Sequence, residues 1–146
     1  MKNRRGLTAV AMAGMMGAMT LASSFSAYAA AGWVQSGNTY VYYDSDGSLH
    51  KGWVNASNGY YYTDLSTGQM VTGWKQINNN WYYFQADGLM ATGWVQDGGK
   101  YYYTLTDGTM HKNGWVNIGS DYYYMGSDGA MVTGWQTIDG GKFYFN

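Results

Sequence analysis

The chain has no cysteine and no glutamate, and little basic charge: eight Lys and Arg stand against nine Asp in 146 residues. Without Cys, disulfides cannot supply the stability that small exported domains often take from them, so packing must do it. Without Cys or Glu, a metal site would have to gather Asp and His from separate turns. His50 and His111 sit at equivalent places, 17 residues after Trp33 and Trp94, and read as solvated loop residues, with no metal site expected. The same shortage argues against a hydrolase. Acid and base work on glycosides or peptides needs convergent carboxylates, or a nucleophile with an oriented base, whereas Asp46, Asp87, Asp107 and Asp128 recur beside Gly as turn residues. Sparse basic charge removes the electrostatic reason to expect nucleic acid or anionic lipid as a partner. Aliphatic side chains are scarce as well. From Ala30 onward there are 14 Ile, Leu and Val, but seven Trp, 15 Tyr and three Phe, so the core has to be largely aromatic.

The first thirty residues differ from the rest. Lys2, Arg4 and Arg5 precede an apolar run from Leu7 to Leu21, and small residues follow at Ala27-Tyr28-Ala29 and Ala29-Ala30-Ala31. This predicts a secretory signal peptide over 1–31, cleaved near 29–31. The run, broken by Gly14 and Gly17, falls short of the roughly 20 apolar residues that cross a bilayer, so no membrane span is expected. Cleavage after Ala29 leaves five Lys against nine Asp, a net charge of −4. A mildly acidic exported part suits a cationic ligand.

From Gly32 onward the chain repeats itself. Gly-Trp recurs at Gly32-Trp33, Gly52-Trp53, Gly73-Trp74, Gly93-Trp94, Gly114-Trp115 and Gly134-Trp135, in steps of 20 or 21 residues. Such a period marks an array, here six copies over 32–146 with the last one incomplete. Seven residues after the Trp comes a second aromatic (Tyr40, Tyr60, Trp81, Tyr101, Tyr122), which the sixth copy is read to supply as Phe143, displaced by one extra Gly. Two residues further sit Tyr42, Tyr62, Tyr83, Tyr103 and Tyr124, and beyond a Gly turn come Leu49, Met70, Met90, Met110 and Met131. Each copy reads as a β-hairpin, with strands near 32–35 and 40–44 and their equivalents, because Tyr, Trp, Val and Thr fit pleated surfaces and Gly and Asn supply the turns. Alternation makes both faces of every hairpin aromatic. A lone hairpin is marginal in water, so successive hairpins are expected to stack into an all-β solenoid, one elongated domain with little helix.

Two or three rings and a thioether repeated in every copy suit a cation. Ring faces carry negative quadrupole density, and a quaternary ammonium enclosed by them gains about 0.5–2 kcal/mol per contact, with Met lining the remaining apolar wall. Here the stretch GWKQINNNWYYFQADGLMATGW resembles the choline-binding (cell-wall-binding) repeat of surface proteins and lytic enzymes of Gram-positive bacteria and their phages. The likeness covers residues 32–146. It implies a left-handed hairpin solenoid of the choline-binding-repeat type, secreted and held at the cell surface or wall, that takes choline of teichoic acid between neighbouring copies.

Carried over by position, the cages would use Trp33, Tyr40, Trp53, Tyr60, Trp74, Trp81, Trp94, Tyr101, Tyr103, Trp115, Tyr122 and Trp135, with Met70, Met90, Met110 and Met131 as walls. Trp74 and Trp81 form the best matched pair, with Tyr103 or Tyr101 as the third ring. The middle tyrosines Tyr61, Tyr82, Tyr102 and Tyr123 read as core. The implied role is a non-catalytic cell-wall module without cofactor, its partner choline-bearing teichoic acid or another cell-wall polymer. Two alternatives stay open: a polysaccharide-binding repeat, since aromatic platforms also stack on sugars, and a structural or targeting fragment of a larger cell-wall hydrolase or toxin.

Overall fold

The computed structural model describes residues 31–146; the segment read as a signal peptide lies, but for its last residue, outside the described residues. Among them the protein is all β. Its strands are β1 (Gly32–Ser36), β2 (Thr39–Tyr43), β3 (Gly52–Ala56), β4 (Gly59–Thr63), β5 (Gly73–Ile77), β6 (Asn80–Phe84), β7 (Gly93–Asp97), β8 (Lys100–Thr104), β9 (Gly114–Ile118), β10 (Asp121–Met125), β11 (Gly134–Ile138) and β12 (Gly141–Phe145). They pair in chain order into six two-stranded sheets, one per repeat copy. The Trp stands directly opposite the aromatic nine residues on, in the pairs Trp33↔Tyr42, Trp53↔Tyr62, Trp94↔Tyr103, Trp115↔Tyr124 and Trp135↔Tyr144.

The hairpin turns are two residues long. In the third copy Asn78 and Asn79 have φ of 49° and 67°, and in the sixth Asp139 and Gly140 have 50° and 80°. Two left-handed residues in succession give the turn whose twist matches that of the flanking strands, and Asn, Asp and Gly are the residues that tolerate it. This register corrects the reading of the sixth copy. Ile138 pairs with Gly141 and Thr137 with Lys142, so Gly141 fills an ordinary strand position and nothing is displaced. Lys142, not Phe143, occupies the place taken by Tyr40, Tyr60, Tyr101 and Tyr122, while Phe143 stands opposite Gln136 as Tyr102 stands opposite Val95.

After its second strand each of the first five copies turns and runs back along itself. The N–H groups of Val71, Ala91, His111 and Val132 donate to the carbonyls of Tyr62, Tyr83, Tyr103 and Tyr124 at 2.8–3.0 Å. One residue earlier the Met reaches the preceding copy: Met70 N–H donates to Tyr40 O (2.8 Å), Met110 to Trp81 O and Met131 to Tyr101 O (both 2.7 Å). Backbone bonds therefore stitch copy to copy, satisfying groups that a free hairpin would leave to water. The turn Asp residues are consumed locally. Asp46, Asp87, Asp107 and Asp128 accept the amide N–H two residues on at 2.8–3.0 Å. Bonds from the Ser48 and Thr109 side chains and amides hold the carboxyls of Asp46 and Asp107 below the usual range.

The described chain forms two compact units, one running to Gly73 and including Phe84–Leu89, the other comprising Trp74–Tyr83 and Met90–Asn146. In the first, Val54, Tyr61, Tyr62, Thr63 and Phe84 are buried; in the second, Ile77, Val95, Thr104, Val116 and Met125 are. The buried Thr104 hydroxyl is satisfied, donating to the Ala91 carbonyl (2.9 Å) and lying 3.2 Å from that of Gly93. His50 is not a solvated loop residue. It is half-buried, its Nδ1 lies 2.9 Å from Asp44 Oδ1 and its Nε2 lies 2.8 Å from the Trp53 carbonyl. His111 has Leu105 where His50 has Asp44, six residues before it, and its Nε2 is buried with no hydrogen-bond partner among the described residues.

The methionines explain the glycine of the turn after the second strand in the third, fourth and fifth copies. Met70 packs over Gly88, Met90 over Gly108 and Met110 over Gly129, with Leu49 over Gly68, each time on the turn of the following copy. A Cβ on Gly108 would overlap Met90 Sδ, and its φ of +84° disfavours any L side chain. Gly108→Ala is expected to cost about 3 kcal/mol, from overpacking and left-handed strain together. Gly98→Ala, at φ +54° with open space around it, should cost about 1 kcal/mol. Urea unfolding of both, and of Gly108→Ala combined with Met90→Ala, tests this: the double variant should lose less than the two singles added together.

Candidate functional site: aromatic clusters at the repeat junctions

In the first unit the Trp33 ring lies 5.2 Å from Tyr42 of its own hairpin and 5.2 Å from Tyr61 of the next. Trp53 lies 5.2 Å from Tyr62, 6.4 Å from Tyr60 and 5.8 Å from Phe84. In the second unit Trp74 meets Tyr83 and Tyr102, both at 5.0 Å. Trp94 meets Tyr103 at 5.3 Å, Tyr101 at 6.4 Å and Tyr123 at 4.8 Å, and Trp115 meets Tyr124, Phe143 and Phe145 at 5.2, 5.1 and 5.7 Å. Most of these contacts are edge-to-face, which aromatic pairs prefer to a face-to-face sandwich.

The pleat produces this pattern. Residues 101 and 103 of a strand share the face of the opposing Trp94, and residue 102 takes the other face with Val95. When hairpins stack, the Trp face of one meets the middle-ring face of the next, so Tyr102 reaches back to Trp74 and Tyr123 to Trp94. The ring from the following copy that meets Trp74 is therefore Tyr102, while Tyr101 and Tyr103 flank Trp94.

Tyr61, Tyr102, Tyr123 and Phe143, which sequence reasoning assigned to the core or to another place, are thus also the second walls of the clusters. Strand alternation puts these rings on the face away from their own Trp, but only the stacking of one hairpin on the next brings them to the Trp of the preceding copy. Of the expected ring seven residues after the Trp, Tyr40 is half-buried, and Tyr60, Trp81, Tyr101 and Tyr122 are exposed. Met70, Met90, Met110 and Met131 are half-buried. Met110 and Met131 are tied by their amides to Trp81 and Tyr101, which sets a thioether-bearing segment beside each of those rings. Trp135 has Tyr144 at 5.3 Å and is 71% exposed, against 37–40% for Trp53, Trp81, Trp94 and Trp115.

These clusters keep large ring faces half in water in copy after copy. Trp53, Trp81, Trp94 and Trp115, with Tyr60, Tyr101 and Tyr122, stay exposed; such surface is costly to maintain for packing alone, and open aromatic faces are what a soft cation binds. Lys100 pairs with Asp128 at 3.2 Å, and the Asp128 carboxyl is held below the usual range by the Ala130 N–H first and Lys100 second.

Comparison with known proteins agrees with this geometry. A family profile described as choline-binding repeat matches residues 30–72 and 71–115, and one described as putative cell wall binding repeat matches 113–131 and 133–146. The chain belongs to the choline-binding repeat family. Among solved structures, CbpJ from Streptococcus pneumoniae TIGR4 is 37% identical with a TM-score of 0.73, over 80% of this chain and 43% of that one. Choline binding protein F of Streptococcus pneumoniae is 36% identical with a TM-score of 0.70, over 80% of this chain and 42% of the other. The modular autolysin LytC of Streptococcus pneumoniae is 28% identical with a TM-score of 0.56, over 79% and 32%. No curated protein matches the chain. This choline-binding-repeat chain thus spans about two fifths of the length of CbpJ and of choline binding protein F.

Proposed function

We propose that the chain is a secreted, non-catalytic module that binds choline groups of cell-wall teichoic acid, exported by residues 1–31 and retained at the cell surface by residues 32–146. The observation that carries this is the cluster repeated at the junctions: a Trp, the Tyr opposite it and the middle ring of the next hairpin, with rings 4.8–5.3 Å apart at Trp33, Trp74 and Trp94. Such a cluster, with the ring seven residues on and the Met segment at its rim, presents quadrupole-negative faces to a trimethylammonium group and apolar surface to its methyls. Three ring contacts at about 1–1.5 kcal/mol each give about −4 kcal/mol, which is millimolar affinity for a single choline.

Titration followed by Trp emission tests the chemistry. Choline and tetramethylammonium should shift the emission with similar midpoints in the millimolar range. Ethanolamine, whose primary ammonium is costlier to desolvate, should need at least about tenfold more. Dextran should leave the spectrum unchanged. A response to dextran with none to choline replaces the choline reading by a polysaccharide-binding one.

A further inference from the structure

One exposed column keeps its chemistry from copy to copy. Two residues after the Trp stand Gln35, Asn55, Gln76, Gln96 and Asn117, an exposed amide in each of the first five copies. The next residue along is Ser36, Ala56, Ile77, Asp97 or Ile118, so strand pairing alone does not hold a column to one residue type. The amides stand directly opposite the rings seven residues after the Trp, in the pairs Gln35↔Tyr40, Asn55↔Tyr60, Gln96↔Tyr101 and Asn117↔Tyr122. Each therefore shares the pleat face of that ring and of the Trp two residues before it, with its Cβ about 5 Å from that of the ring opposite. Gln35 Nε2 donates to the Gly37 carbonyl at 3.3 Å, while the side-chain amides of Asn55, Gln76, Gln96 and Asn117 make no hydrogen bond among the described residues. The hairpins gain no bond from these four.

We infer that this column is a phosphate-recognising rim of the cation sites, its amide N–H groups donating to the oxygens of a phosphodiester that ties choline to a polymer. The inference rests on the choline reading and extends it from the ammonium to the linkage. Choline joins a polymer through its hydroxyl oxygen, two carbons from the ammonium. A trimethylammonium held against Trp94 and Tyr101, whose rings stand 6.4 Å apart, carries that oxygen to the edge of the same face, where Gln96 stands. A phosphodiester offers only acceptors and is anionic, so a bond from an amide N–H is charge-assisted. A Lys in this column would repel the ammonium and an Asp would repel the phosphate, whereas an amide repels neither. A choline phosphodiester is neutral as a whole, so the net charge of −4 from residue 30 onward does not turn it away.

The test is nuclear magnetic resonance on the full exported chain, following the indole N–H signals of Trp74 and Trp94, assigned through Trp74→Phe and Trp94→Phe. Glycerophosphocholine should move both signals with a midpoint about fivefold below that of choline, the effect of one exposed charge-assisted hydrogen bond. Glycerol phosphate, which lacks the ammonium, should move neither. Gln96→Ala should bring the two midpoints together at Trp94 and leave their ratio at Trp74 as it was, and Gln96→Asn should keep most of the preference. Gln96 is exposed, so both variants should keep the native dispersion of signals. The proposal is overturned if choline and glycerophosphocholine have equal midpoints in the native chain, if the preference at Trp94 survives Gln96→Ala, or if glycerol phosphate alone moves the signals. A response to choline without any preference for the diester sinks this inference alone, whereas no response to either ligand sinks the choline reading and this inference with it.

Discussion

Choline at a hundred times its dissociation constant should stabilise the folded chain by about 2.7 kcal/mol for every site it fills, and by several times that if the junctions act alike. The sign comes from how the clusters are made. Trp94 and Tyr123 are 29 residues apart in sequence and 4.8 Å apart in the fold, so the site exists only when two copies are stacked. A ligand that binds the stacked state and not the unfolded chain must raise the unfolding temperature, in step with the logarithm of its concentration once that exceeds the dissociation constant. Scanning calorimetry over a choline series should show a midpoint that keeps climbing with the logarithm of choline, with a slope set by the number of sites. Tetramethylammonium should reproduce the climb and sodium chloride at equal ionic strength should not. A midpoint indifferent to choline at saturating concentration would mean that the rings are packing residues only.

Much of this fold is legible in the residues because the period is strict and the turn chemistry local. Asn78-Asn79 and Gly98-Gly99 announce two-residue turns, and the alternation after them places Tyr101 and Tyr103 on one face and Tyr102 on the other. What alternation cannot say is which neighbour each face meets, since that depends on how one hairpin is rotated against the next. Tyr102 therefore reads as core, although it is the ring that completes the Trp74 cluster. The Met positions were legible as apolar, but their packing on the glycine of the following turn depends on the same stacking. The sixth copy shows the opposite failure. Matching aromatic to aromatic suggests an inserted glycine, whereas counting from Trp135 puts Lys142 in register, as the strand pairing does. A resemblance between residues is a weaker guide to register than the length of the turn, because a one-residue slip would turn every side chain of the strand to the other face.

Retention on a choline-bearing surface should far exceed what one site provides, and should fall steeply as sites are removed. One millimolar contact dissociates quickly, but once it is made the remaining sites see tethered choline at millimolar effective concentration, and engaging several can raise apparent affinity by about 10²–10⁴. The exposed rings Trp81, Tyr101 and Tyr122 are the places to cut, because their loss should weaken a site without taking out core volume. Trp81→Ala, Tyr101→Ala and Tyr122→Ala, singly and together, should each lower the stoichiometry for free choline by about one site. On a dense choline matrix the triple variant should elute at least about a hundredfold more readily than the native chain, while on a sparse matrix, where one site engages at a time, the two should differ by no more than a few fold. Dispersed nuclear magnetic resonance spectra of the variants would exclude unfolding as the cause. A triple variant held on the dense matrix as tightly as the native chain would show that these rings do not hold choline, and a native chain indifferent to matrix density would show that its sites act singly.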